Sequence, residues 1–207
     1  MHNSIDMSPK SWRAVNVDVR SMHLDDQPVL RVVKGEGKRM RFDENTFARL
    51  EGEDFHNGVI EVQMLSRLLT DAPDFARGFI GIAFRINEGN SEFESFYIRP
   101  TNAMTDDPVR KAHGCQYFAY PGYTFAYFRE YDIRKYEAPI CHGLDEWVDL
   151  RAAIRNSHAD FYLNDMLNPV LSVDDLKHGA DAHGSVGLFV DIGTEGFFRN
   201  LRITHED

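Results

Sequence analysis

Cysteine is nearly absent from this 207-residue chain, which holds only Cys115 and Cys141. Two thiols make no disulfide framework, so the fold must rest on a packed core, with both thiols expected free in a reducing compartment. No run of Lys and Arg occurs, and 33 acidic side chains against 23 basic ones give a formal net charge of −10. A surface this acidic repels phosphate backbones, so no nucleic-acid partner is expected. Long hydrophobic runs are also missing: charges interrupt every apolar stretch, and no membrane span is expected. The stretch from Met1 to Trp12 lacks the apolar centre of a secretion signal, so a cytoplasmic location is expected, a removed leader being the alternative. Nine His are present, yet there is no His-Glu-x-x-His, no zinc-finger spacing, no Gly-x-Ser-x-Gly elbow and no phosphate-cradling Gly loop. Internal repeats, low-complexity tracts and Pro/Ser-rich linkers are lacking as well, and a single domain over residues 1–207 is expected.

What the chain has in quantity is alternation. Val15, Val17 and Val19 alternate with Asn16, Asp18 and Arg20; Ile60, Val62 and Met64 with Glu61 and Gln63. The same period of two runs through Ile80–Ile86, Ser95–Arg99, Trp147–Arg155, Phe161–Leu163 and Val186–Val190. Successive strand side chains point to opposite faces, so each run buries one row and presents the other. Turn residues divide the runs: Gly35-Glu36-Gly37, His56-Asn57-Gly58, Asn87-Glu88-Gly89-Asn90, Asn164-Asp165 and Gly193-Thr194-Glu195-Gly196. Connections this short cannot carry parallel crossovers, so the strands should be antiparallel. No apolar stripe has helical period, apart from one helical turn expected at Glu44–Leu50. The reading is all-β: an antiparallel two-sheet β-sandwich, with Gly193–Gly196 turning the last hairpin.

Three segments carry a family resemblance: GFIGIAFR at 78–85, FESFYIRPTN at 93–102, and GSVGLFVDIGTEGFFRNLRI at 184–203. Together with Trp147–Arg155 and the turn after Phe161, they resemble the concanavalin A-like lectin/glucanase superfamily, in particular its 3-keto-disaccharide hydrolase-like jelly-roll branch. The resemblance runs from about Phe55 to Ile203. It implies a jelly roll and a carbohydrate ligand, whether bound or processed. It also implies the one metal site considered, a structural calcium near Asp191 or Asp106-Asp107, with no other cofactor. A different class, a structural or protein-interaction module without a small-molecule site, is the alternative.

The rows opposite the apolar ones hold the candidate site. Arg85, Tyr97 and Arg99 stand around the small residues Gly81 and Ala83, a floor and rim suited to a sugar, whose C–H face stacks on aromatic rings and whose hydroxyls bind guanidinium groups. Glu61 and Gln63 face them if their strand lies beside. Neighbouring guanidinium groups would then hold the Glu61 carboxylate ready as a base, which makes Glu61 the candidate catalytic residue. Residues 101–114 form a long polar loop, and loops of this kind inside sandwiches are often functional. Asn102 and His113 from this loop, with Gln116 and Tyr117 from the aromatic run after it, complete the candidate substrate contacts. The acidic triplet Glu-x-Asp-x-x-Glu of one large glucanase class is absent. Glu94 falls on an apolar row, and Glu130, Asp132 and Glu137 are scattered carboxylates that the sequence does not pair. Trp147 is expected to pack in the core under a loop, and His178 and His183 to lie on the surface.

Overall fold

The computed structural model describes residues 3–206, with side chains from residue 5 onward. Fifteen strands appear in chain order among these residues. They begin with β1 (Asn3–Ser4), β2 (Trp12–Val15), β3 (Val17–Leu24), β4 (Gln27–Lys34) and β5 (Phe47–Leu50). Next come β6 (Asn57–Leu68), β7 (Ile80–Ile86), β8 (Phe93–Ile98), β9 (Cys115–Tyr120) and β10 (Glu137–Ala138). The last five are β11 (Trp147–Arg155), β12 (His158–Leu163), β13 (Leu171–Val173), β14 (Ser185–Val190) and β15 (Thr194–Glu206). Three short helices, α1 (Pro100–Ala103), α2 (Pro108–Lys111) and α3 (Phe125–Glu130), sit in the connections around β9.

The strands form two sheets. Sheet one has the order β13-β12-β11-β6-β15-β4-β3, with β1 also paired to β15; sheet two has the order β10-β9-β8-β7-β14-β5-β2. All pairings are antiparallel. The inner rows meet between the sheets: Phe96 of β8 stacks on Phe161 of β12 with centroids 4.3 Å apart, and Phe84 of β7 leans on the same ring at 6.2 Å. One core cluster extends from Trp12 to Ile203 through both sheets. Burying each Phe or Leu there is worth about 1.5–3 kcal/mol, which offsets the ordering of so many loops.

The outer faces differ. On sheet one, β11 alternates buried and accessible residues, as a solvated face requires. In sheet two, every residue of β7, β8 and β14 is buried. Their outer row, which includes Tyr97, Phe118 and Phe189, is covered, and the loops that cover it create the site.

Three expectations are corrected. Phe47–Leu50 is a strand, not a helical turn, because Phe47 and Ala48 pair with Phe189 and Leu188 of β14. The run through Val15 and Val19 is divided at Asn16, whose φ of 51° turns the chain out of sheet two and into sheet one. The segment 184–203 is no hairpin within one sheet: β14 pairs with β5 and β7, whereas β15 pairs with β6 and β4. Gly193 makes that passage at φ 68°, where a Cβ would come within 2.7 Å of Ala76 Cβ. Both cysteines are free, Cys115 buried and Cys141 exposed. No helix among the described residues is long and apolar enough to cross a membrane.

Candidate functional site

Lys34, at the end of β4, is buried and directs its ammonium onto the equally buried Asp191 carboxylate and onto the Arg41 carbonyl. Asp191 also accepts the backbone N–H groups of Ile192 (2.8 Å) and Asp43 (2.9 Å). This knot fixes the 35–46 connection against sheet two, with Asp43 held at φ 49°. The neighbouring Phe42 lies against Phe75, Phe79 and Phe125 at 5.6, 6.2 and 6.4 Å. Asp43 in turn accepts the Phe125 N–H at the start of α3.

These loops wall a cavity of about 240 Å³ over the outer face of β8. Phe42, Phe75, Phe79 and Phe125 supply its apolar surface; Asp43, Arg77, Tyr97, Arg99, Asn102, Arg110, His113 and Arg129 supply the polar one. Phe42 and Phe75 are the accessible rings, 47% and 39% exposed. An apolar recess with a few convergent polar groups is the usual form of a small-molecule site, although this one is just below the common range of about 300–1,000 Å³.

Behind the wall, Arg99 is almost wholly buried. It donates to Glu137 Oε1 (2.8 Å), the His113 carbonyl (3.1 Å), Tyr97 Oη (2.8 Å) and Gln116 Oε1. The Tyr97 hydroxyl donates to the same Gln116 oxygen at 2.9 Å. Glu137 is fully engaged: its second oxygen lies 2.8 Å from His113 Nδ1, and Arg129 stands 3.6 Å from the first. Arg129 Nη1 is 3.1 Å from His113 Nε2. A guanidinium can only donate, so Nε2 accepts and Nδ1 carries the proton it gives to Glu137. Burial lowers the His113 pKa, consistent with this neutral tautomer. Desolvation pushes the Tyr97 hydroxyl well above its ordinary value. Burial and then the Asp191 charge push the Asp43 carboxyl up to about 7. One carboxyl, poised near neutrality, therefore lines the cavity, while Glu137 behind it is closed off by Arg99, Arg129 and His113 and Asp191 by Lys34 and two backbone N–H groups.

Of the residues singled out in the sequence, Tyr97, Arg99, Asn102 and His113 line this cavity, and Gln116 buttresses it from below. The polar loop 101–114 delivers Asn102, Arg110 and His113 through α1 and α2. Asp107 caps α2 by accepting from Val109 N at 2.9 Å, and Asn102 Nδ2 ties the loop to the His113 carbonyl at 2.8 Å.

Four candidates lie elsewhere. Glu61 and Gln63 belong to β6 in sheet one, on the opposite side of the sandwich from β7 and β8. They do not face Arg85 or Arg99. Glu61 is 3.5 Å from Arg202, and Gln63 bonds Asp149, Arg199 and Asn200. Arg85 sits beside the bulge where β14 shifts register, and its φ of 53° turns its side chain off the outer row. There it donates to the carbonyls of His56, Gly179 and Asn156 and faces Glu94 at 3.5 Å, both side chains fully buried. Tyr117 is on the inner row, donating to Glu94 Oε1 at 2.9 Å and accepting from Lys177 N at 2.8 Å. Gly81 is small for another reason than a groove floor: a Cβ there would meet the Phe96 carbonyl oxygen at 2.0 Å.

The remaining expectations divide. Trp147 is half-buried on the outer face of sheet one, with Arg199 3.9 Å over its ring rather than a loop. His183 is exposed beside Asp54, but His178 is half-buried, with Nε2 near the Phe93 and Tyr120 carbonyls. The Asp191 oxygens are occupied by N–H donors, and no cluster of three or more metal-binding side chains occurs among the described residues.

Phe42, Asp43, Phe75, Arg77, Phe79, Arg110, Phe125 and Arg129 were not among the candidate contacts. The signal for two of them was present: Phe42 and Phe75 are lone aromatic rings inside polar, turn-rich stretches, where a large apolar side chain has no strand row to explain it.

No protein-family model matches the chain, and no curated protein matches it. Solved structures do. A carbohydrate-binding module, CBM66, from Bacillus subtilis superposes with a TM-score of 0.59 at 14% identity, covering 94% of this chain and 96% of that one. A Bacillus subtilis protein of unknown function with a galectin-like fold gives 0.53 at 11% identity over 99% and 98%. A glycosidic hydrolase gives 0.51 at 11% identity over 100% and 96%. At such identities the likeness concerns the backbone alone, and with the two antiparallel sheets it establishes the architecture: the chain folds as a concanavalin A-like jelly-roll β-sandwich.

Proposed function

We propose that the cavity between Phe42, Phe125 and Arg99 binds a carbohydrate. The observation that carries this reading is the pairing, in one recess, of accessible aromatic rings with fixed polar groups: Phe42 and Phe75 at the mouth, Asp43, Asn102 and the guanidinium groups within. Aromatic faces take the C–H side of a pyranose, and the polar groups take its hydroxyls. The resemblance to the 3-keto-disaccharide hydrolase-like branch and the jelly-roll neighbour whose name is that of a carbohydrate-binding module support the same ligand class. A cavity of this size suits one sugar ring, such as the end of a glycan, better than a long chain.

Recognition is favoured over two-carboxylate hydrolysis. Both standard glycosidase mechanisms need two carboxyl groups facing the scissile bond. Here Asp43 is the carboxyl on the cavity wall, and Glu137 is held by Arg99, Arg129 and His113. Glu61, on the far sheet, takes no part in this reading.

The test is calorimetric titration with a panel of mono- and oligosaccharides, on the wild type and on Phe42→Ala combined with Phe75→Ala. Arg99→Ala is unsuitable because it would take from the buried Glu137 its nearest countercharge and from Gln116 and the His113 carbonyl a shared donor. The two exposed rings can be removed with the fold kept, and affinity for the responding sugar is expected to fall by about tenfold or more. Unchanged affinity in the double variant would move the sugar elsewhere. No response to any sugar would favour an interaction module.

A further inference from the structure

The cavity carries more positive charge than a neutral sugar uses. Arg77, Arg99, Arg110 and Arg129 all line it, in a chain whose formal net charge is −10. Arg99 and Arg129 are matched by Glu137. Arg77 and Arg110 have no acidic partner among the described residues. Arg77 donates through Nη1 to the carbonyls of Asp74 (2.8 Å) and Ala76 (2.9 Å). Arg110 reaches only Asn102 Oδ1, at 3.4 Å, and its Nε is buried without any partner. Arg77 is also partly desolvated next to Arg110 and Arg99, and these three influences lower its pKa.

Arg77 and Arg110 thus bring two like charges into a half-enclosed recess with no carboxylate paired to either, at a cost in free energy. An anion that enters would offset it. Taking the cavity to be the sugar site proposed above, we infer that its ligand is an acidic sugar whose carboxylate is received by Arg77 and Arg110. A guanidinium presents its N–H groups in a planar fork that matches the two oxygens of a carboxylate, and both groups have donors to spare. The aromatic rings at the mouth would hold the ring of the same sugar, so one uronate residue would satisfy both halves of the site. Asp43 disfavours a doubly charged group such as a phosphate in the same recess. A carboxylate, with its single charge, is therefore the anion we assign, and the phosphate is its competitor in the test.

The experiment compares glucuronate, galacturonate and mannuronate, and short oligosaccharides ending in them, with the corresponding neutral sugars and their 6-phosphates. Wild type is expected to bind at least one uronate ligand about tenfold or more tightly than its neutral counterpart. That gap should shrink in Arg110→Gln and in Arg77→Gln, and on raising salt from about 50 to about 500 mM. Circular dichroism and melting of each variant would check that the fold is kept. If a neutral sugar binds as tightly as its uronate, the acidic-sugar inference fails while the carbohydrate reading stands. If the phosphate binds tightest, the carboxylate assignment fails. If acetate competes as strongly as the uronate, or no sugar binds at all, the inference fails together with the carbohydrate reading.

Discussion

Asp43 ties the covering loop to the cavity, and its ionisation is written into the stability of the whole. Burial and the Asp191 charge raise its carboxyl from 3.8 to about 7. An acid whose folded pKa exceeds its unfolded one binds more protons when folded, so its contribution is greatest below about pH 4 and is lost as pH rises to about 7. Three units correspond to roughly 4 kcal/mol at most. Asparagine keeps an acceptor for the Phe125 N–H without the charge. The urea midpoint of wild type should therefore fall between about pH 5 and about pH 8 more steeply than that of Asp43→Asn. Parallel profiles would mean that Asp43 titrates like a free acid. The same residue shows the limit of reading the site from sequence. Tyr97 is on β8 and Arg99 follows its last residue, two positions on, so alternation alone puts them on one face. Asp43 reaches that face only because its N–H bonds Asp191, 148 positions later, and no local pattern encodes such a bond.

At the scale of single elements, β7 shows where alternation misleads. Period two placed Arg85 with Gly81 and Ala83, and the bulge beside β14 removed it from that row. Its guanidinium instead closes one end of the sandwich by satisfying three carbonyls and facing Glu94. Arg85→Met should cost about 3–5 kcal/mol, since it leaves a buried carboxylate without its countercharge. Adding Glu94→Gln should recover part of that loss, and thermal melts of the single and double variants would measure both. A double variant no more stable than the single would show that the carbonyl contacts, not the ion pair, dominate. Strands, turns and inner rows were legible because each depends on neighbours in sequence. The partition into sheets was not: β2 and β3 read as one run, and β14 and β15 as one hairpin. Period two tells which side a residue faces, never which sheet its strand joins.

For the whole molecule, the partition between sheets governs the site more than any single side chain does. Glu61 and Gln63 belong to the other layer from Tyr97 and Arg99, so no single groove holds all four. The loops that cover sheet two made the recess, and they come from four separated stretches: 35–46, 69–79, 99–114 and 121–136. The position of β15 has a further effect, on the order of events in time. In sheet one, β6 and β4 are joined only through β15. Until residues 194–206 have left the ribosome, β13-β12-β11-β6 and β4-β3 are two unconnected pieces, each with an unpaired edge open to other chains. Folding of this sheet must then wait for the late strand, and its high contact order makes closure slow. A chain ending at Gly193 should melt without a cooperative transition and aggregate, and a synthetic Thr194–Glu206 peptide supplied in trans should restore both cooperativity and solubility. A sharp, reversible transition in the truncated chain would show that the two halves assemble unaided. Otherwise the sheet stays unsealed until β15 emerges, and chaperone cover during that interval becomes part of how the protein is made.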